Sequence, residues 1–311
     1  MTKRIDRSGY WRKALAGAAL PIVSGIALSG IVLPGVGTAQ ETVVPSSVNP
    51  QIRDGDSPYI IYGDTAGRAG APLAVFLPGT NGVTAGAPRL LLRMLADQGY
   101  RVIYLSYDDK VAATNICPQA PPRCFAEFRG SRLFGGGGPE PTPRAEAIVP
   151  RLTELLRYLA RKHPDGGWGQ YLTPDGPAWP RIVMSGLSQG AGMAAFLAKR
   201  YPLNRVVLFS SPWDFRLPGR RPAPWLFDAS VTPPDRWWAE RHARENTTAE
   251  IARAYDALRI PRNHILLFNG PPPPDATGKN PFHGSTIKMA QYLPQWRVMY
   301  GVDQPWQRRS K

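Results

Sequence analysis

From residue 58 onward, short apolar runs alternate with stretches of helical periodicity. Pro58–Tyr62, Pro72–Leu77, Arg101–Leu105, Pro180–Ser185, Asn204–Phe209 and His264–Phe268 are short and mostly apolar. Runs of that kind predict strands buried on both faces. Between them, Pro88–Gln98 places Leu91, Leu92 and Leu95 on one side. Ala145–Lys162 repeats Ile148, Leu152, Leu155, Leu156 and Leu159 at helical spacing, with Pro150 either kinking the helix or marking its first turn. Gly190–Arg200 and Thr248–Leu258 are further helix patterns. The alternation predicts one α/β domain over 58–311, a mainly parallel sheet flanked by helices.

Four stretches fall outside it. Residues 1–39 begin with Lys3, Arg4, Arg7, Arg12 and Lys13, run uncharged from Ala14, and end in the small residues Gly37-Thr38-Ala39. This is the layout of a cleaved export signal, with an uncleaved membrane anchor as the alternative. Residues 40–57 read as an extended lead-in. Residues 108–143 are a Cys-, Pro- and Gly-rich excursion. Residues 212–262 set Trp213, Trp225, Trp237 and Trp238 among prolines, and read as a cap insertion over one end of the sheet.

Composition narrows the function classes. Of 311 residues, 43% are hydrophobic and 20% charged, which excludes a wholly disordered chain. The 31 Gly and 34 Pro follow no collagen period and belong to loops. The net charge is +15, and +11 once residues 1–39 are removed with five positive charges and one negative. The excess is dispersed Arg without a nucleic-acid motif, so nucleic acid is not an expected partner. A weak attraction to an anionic membrane surface stays open. The two cysteines, Cys117 and Cys124, stand seven apart in a Pro-rich loop. In an exported chain they predict a structural disulfide. No further ligands stand near for a metal, and no cofactor motif occurs.

The chemistry concentrates at two turns. Gly186-Leu187-Ser188-Gln189-Gly190 is a G-x-S-x-G sequence directly after a predicted strand and before a predicted helix. A serine at so sharp a turn has its Oγ exposed at the sheet's carboxyl edge, next to a helix N-terminus. The second turn is Leu77-Pro78-Gly79-Thr80-Asn81-Gly82, which follows an earlier strand. It suits a loop that gives a backbone N–H to an oxyanion. The expected donors are the amides of Thr80 and Gln189, with the Thr80 hydroxyl as a third.

The succession of strands, helices, Pro-Gly-Thr loop and Gly-Leu-Ser-Gln-Gly elbow over about 58–300 resembles the α/β-hydrolase superfamily. The Leu-Pro-Gly-Thr form is similar to lipases and esterases whose oxyanion loop begins Pro-Gly. The resemblance implies a nucleophile, an acid and a histidine in that order. Among the four histidines, His163 ends a helix, His264 opens a strand and His242 lies in the expected cap. His283, on a loop after the last strand, fits the base, with His242 as its rival. The acid is expected at Asp214, in Ser210-Ser211-Pro212-Trp213-Asp214, with Asp275 the alternative and Glu245 next in line. The implied activity is ester hydrolysis through a Ser188 acyl-enzyme, on a small-molecule or lipid-like ester. Two alternatives stay open: an inactive hydrolase fold that binds ligands after export, and an acyltransferase with the same triad.

Overall fold

A computed structural model describes residues 39–53, 57–63, 70–274, 276 and 280–301. The expected export signal, up to residue 38, lies outside the described residues. Eight strands form one sheet: β1 (Ala39–Val43), β2 (Tyr59–Gly63), β3 (Leu73–Leu77), β4 (Arg101–Tyr104), β5 (Ile182–Leu187), β6 (Arg205–Phe209), β7 (Trp237–His242) and β8 (Ile265–Phe268). Their spatial order is β1-β2-β4-β3-β5-β6-β7-β8. β2 runs antiparallel to both β1 and β4, and every other pairing is parallel. The main helices are α1 (Arg89–Asp97), α2 (Cys124–Phe134), α3 (Ile148–Lys162), α4 (Gln189–Ala198), α5 (Thr248–Ala257) and α6 (Leu293–Tyr300).

Successive side chains of a strand point to opposite faces, so apolar runs feed two cores. Leu73, Val75 and Leu77 of β3 join the core under α2, α3, α4 and α5. Ala74 and Phe76 join the core under α1 and α6. The leucines at helical spacing on α1 and α3 are the buried ones, as the period predicts.

Three regions differ from the sequence expectations. The lead-in is not merely extended: its first residues are β1, paired edge-on with β2. The 108–143 excursion contains α2. The segment 212–262 is not one cap insertion. Residues 212–236 form an excursion with a small hairpin, Phe215–Arg216 against Arg221–Pro222. Trp237–His242 then enters the sheet between β6 and β8. The motif Trp-Trp-Ala-Glu-Arg-His hides this strand because charged residues occupy its interior positions. Glu240 and His242 are nonetheless fully buried.

A disulfide joins Cys117 to Cys124. It ties the turn Ala113–Ile116 to the first residue of α2. Among the described residues no helix is long and apolar enough to cross a membrane.

Candidate active site

Ser188 is the junction of β5 and α4, at φ 54° and ψ −121°. A non-glycine residue at positive φ is strained, and it persists only where the surroundings over-determine it. Here the Ser188 amide donates to Phe209 O at 3.0 Å, and its carbonyl accepts from Gly192 N at 3.1 Å. The glycines around it are required by space. A Cβ on Gly186 would meet Leu77 O at 2.7 Å, and one on Gly190 would strike the carbonyls of Leu77 and Pro78.

The Pro78–Gly82 loop runs alongside the serine. A Cβ built on Gly79 would lie 3.1 Å from that of Ser188. The loop is tied down by its surroundings. Tyr107 Oη donates to Pro78 O at 3.1 Å, and Gly82 N donates to Asp109 Oδ2 at 3.1 Å. Gln189, at the first turn of α4, is anchored through its side chain: Oε1 accepts from Ala113 N and Nε2 donates to Val111 O, both at 3.1 Å. The first amides of a helix have no intrahelical acceptor, so the Gln189 N–H is available to a developing anion. Thr80, Ser188, Gln189 and His283 line one cavity of about 310 Å³.

His283 Nδ1 lies 2.6 Å from Glu245 Oε1. Glu245 is buried, and follows β7 in a turn closed by its own amide on His242 O at 3.1 Å. Nδ1–H donates to the carboxylate, which leaves Nε2 as the acceptor face. The ring packs against Trp213, centroids 4.7 Å apart. This is the geometry of a base held in one tautomer by an acid.

The carboxyl beside His283 is thus that of Glu245 and not that of Asp214, the residue expected as the acid. Asp214 is fully buried and accepts two hydrogen bonds from the Arg129 guanidinium, one of them at 2.7 Å, and one from Trp225 Nε1 at 2.7 Å. Its carboxylate serves that cation, not an imidazole. Arg129 in turn fills the space beside Gly192 and donates to Gln189 O at 3.4 Å, so the pair braces the start of α4. Asp275 lies outside the described residues. Glu245, third in line by sequence, is the carboxylate that meets His283. Its signal is obscured because the charged residues of β7 conceal the strand whose carboxyl end Glu245 follows.

The other histidines are occupied. His242 Nδ1 accepts from Arg244 N at 3.1 Å and its Nε2–H donates to Gly270 O at 2.8 Å, while its ring stacks on Phe282. Burial holds its pKa below the ordinary value, which suits a neutral spacer under the His283 loop. His264 stacks on Trp238, centroids 4.1 Å apart. His163 ends α3 and meets Glu41 at 2.8 Å. Among the described residues no group of three or more His, Cys, Asp or Glu could hold a metal ion.

A parallel-dominated sheet in this strand order, with a strained serine closing its fifth strand and a histidine after its eighth, decides the fold. It is an α/β-hydrolase fold. No family model matches the sequence, and no curated protein matches it. Solved structures do. An S-formylglutathione hydrolase from Agrobacterium tumefaciens is 11% identical, with TM-score 0.48, over 80% of this chain and 90% of that one. Esterase 2 of Thermogutta terrifontis is 16% identical, with TM-score 0.44, over 88% and 98%. An acetyl xylan esterase from Aspergillus awamori is 14% identical, with TM-score 0.37, over 71% and 80%.

Proposed function

We propose that the protein is a serine hydrolase that cleaves carboxylic esters, with Ser188 as nucleophile, His283 as base and Glu245 as acid. The observation that carries this is the 2.6 Å contact of buried Glu245 with His283, which lines the same cavity as Ser188. His283 Nε2 takes the Ser188 proton as Oγ bonds to the ester carbonyl carbon. The carbonyl oxygen becomes an oxyanion held by the N–H groups of Thr80 and Gln189. His283 returns the proton to the leaving alkoxide, and the alcohol departs. Water, deprotonated by His283, then attacks the acyl-enzyme and releases the acid. Glu245 stabilises the imidazolium in both halves.

The cavity volume of about 310 Å³ suits a small ester. Ala113, Leu187 and Trp213 give it apolar wall, and Thr114 and Asn115 give it polar rim. Export with cleavage after Ala39 is part of the same reading. The disulfide supports it, since such bonds persist in oxidising compartments. Intact-mass measurement of the native protein should give a chain beginning near Gln40, and an unprocessed N-terminus would favour the anchor.

The deciding experiment uses a fluorophosphonate probe and a chain-length series of nitrophenyl esters. Wild type should take up one probe molecule at Ser188 and hydrolyse the short esters. Ser188→Ala should fold, take up none, and lose roughly 10⁴–10⁶-fold in kcat. Substantial esterase activity in Ser188→Ala would sink the assignment, and an unlabelled wild type would point to a binding role.

A further inference from the structure

The loop beside Ser188 has the N–H groups of Gly79, Thr80, Asn81 and Gly82 to place, since Pro78 has none. Asn81 N donates to Asp109 O at 3.3 Å. Gly82 N donates to Asp109 Oδ2 at 3.1 Å and to Gly79 O at 3.0 Å. The amides of Gly79 and Thr80 meet no acceptor among the described residues. The division follows the cavity: Gly79 and Thr80 line it with Ser188, and Asn81 and Gly82 do not.

Asp109 therefore takes up the two amides that lie off the cavity, one with its backbone oxygen and one with its carboxylate. The chain is shaped for this. Asn81 turns at φ 57°, in the left-handed region that Asn tolerates. A Cβ on Gly82 would strike Pro78 and come within 3.1 Å of Asp109 Oδ2, so no side chain can stand between them. Asp109 is 5% exposed, and its neighbours fix the segment that carries it. Asp108 accepts from Arg132 of α2 at 2.7 Å, and Tyr107 Oη donates to Pro78 O at 3.1 Å. Residues 107–109 thus grip the loop at both ends. A free amide stabilises an oxyanion only if it is already in place when the charge develops.

On the serine-hydrolase reading above, we propose that Asp109 is a positioning residue of the oxyanion hole. By binding the amides of Asn81 and Gly82 it leaves the Thr80 N–H unpaired and fixed beside Ser188.

The test compares Asp109→Ala, Asp109→Asn and Tyr107→Phe with wild type, with Ser188→Ala as blank. It reads kcat and KM on a short nitrophenyl ester, and the inhibition constant of a short alkyl trifluoromethyl ketone. Ser188 Oγ adds to the ketone carbon, its proton passes to His283, and the ketone oxygen becomes an anion at the donor amides. Outright loss of one oxyanion donor costs roughly 10²–10³-fold in kcat, and a loosened donor costs less. Asp109→Ala should therefore lose about 10–100-fold in kcat at little-changed KM, and the ketone constant should rise by the same factor. Asn still offers Gly82 N an oxygen, so Asp109→Asn should stay within about threefold of wild type in both readouts. Tyr107→Phe releases only the Pro78 end and should fall between the two. A variant that merely folds poorly loses kcat by losing sites and leaves the ketone constant unchanged. That outcome for Asp109→Ala overturns the proposal, as does an Asp109→Asn protein no better than Asp109→Ala. If Asp109→Ala yields no folded protein, an unchanged ketone constant in Tyr107→Phe overturns it. If wild type neither hydrolyses an ester nor binds the ketone, the serine-hydrolase reading has failed instead. Amide exchange in wild type, followed by NMR, then decides how Asp109 divides the loop. Asn81 and Gly82 should be protected while Gly79 and Thr80 exchange fast, and a protected Thr80 or a fast Gly82 overturns the proposal.

Discussion

Two buried acids near one cavity differ in what they face. Asp214 holds Arg129 bidentately, and Glu245 holds His283. Removing the charge from each should therefore fail differently. Glu245→Gln leaves the imidazole without its orienting acceptor, and kcat should fall roughly 10⁴-fold with the protein still folded. Asp214→Asn strands a guanidinium that is 2% exposed, and loss of one partner of a buried pair costs about 3–5 kcal/mol. Chemical denaturation of both variants beside their ester kinetics checks the contrast. An Asp214→Asn protein of normal stability with a roughly 10⁴-fold lower kcat would reverse the two roles.

At the scale of elements, the disulfide and α2 work together. The bridge spans a sequence separation of seven, between the turn that lines the cavity at Ala113 and Thr114 and the helix that carries Arg129. Closing so short a loop removes unfolded-state entropy worth about 2–3 kcal/mol. Replacing both cysteines by alanine should lower unfolding stability by about that amount. Because Gln189 Oε1 accepts from Ala113 N, KM and kcat should both worsen as this wall loosens. Denaturant titration with ester kinetics reads both effects, and a double variant of full stability and activity would leave the bridge without a role.

Across the whole molecule, burial of the Glu240 carboxyl couples folding to pH. Its folded pKa is raised above 4.5, so above that pH the unfolded chain gives up a proton that the folded chain keeps. The sign is negative. Stability contributed by this group is complete below the unfolded pKa and declines as pH rises towards the folded one, by about 1.4 kcal/mol per pH unit. Glu240→Gln has no proton to lose there. The stability difference between Glu240→Gln and wild type should thus grow with pH above 4.5, and denaturation at three pH values measures it. A difference that stays flat would show an ionised Glu240.

The local parts of this protein are legible in its sequence. Six strands announce themselves by apolar runs, five because both faces of a doubly covered sheet demand apolar residues while the edge strand β8 is only partly covered, and α1 and α3 because their buried leucines recur with the helical period. The Ser188 elbow is legible as the short motif Gly186-Leu187-Ser188-Gln189-Gly190, although the carbonyls that bar a Cβ at Gly186 and Gly190 belong to Leu77 and Pro78, far back in the chain. The His283 loop can be reached from its place after the last strand. The acid cannot. Glu245 follows a strand whose interior holds Glu240, Arg241 and His242, and the groups that meet Glu240, the Ser210 hydroxyl at its carboxyl and the Tyr255 hydroxyl at its backbone oxygen, arrive from other elements. By sequence Asp214 is the better acid because it leaves β6 directly, and only the arrival of Arg129 from α2, 85 residues away in the chain, turns it into a brace. Turn and periodicity requirements act between near neighbours and so leave their mark on sequence. The charge state and partner of a buried carboxyl depend on which distant side chains reach it first, and tertiary packing alone decides that.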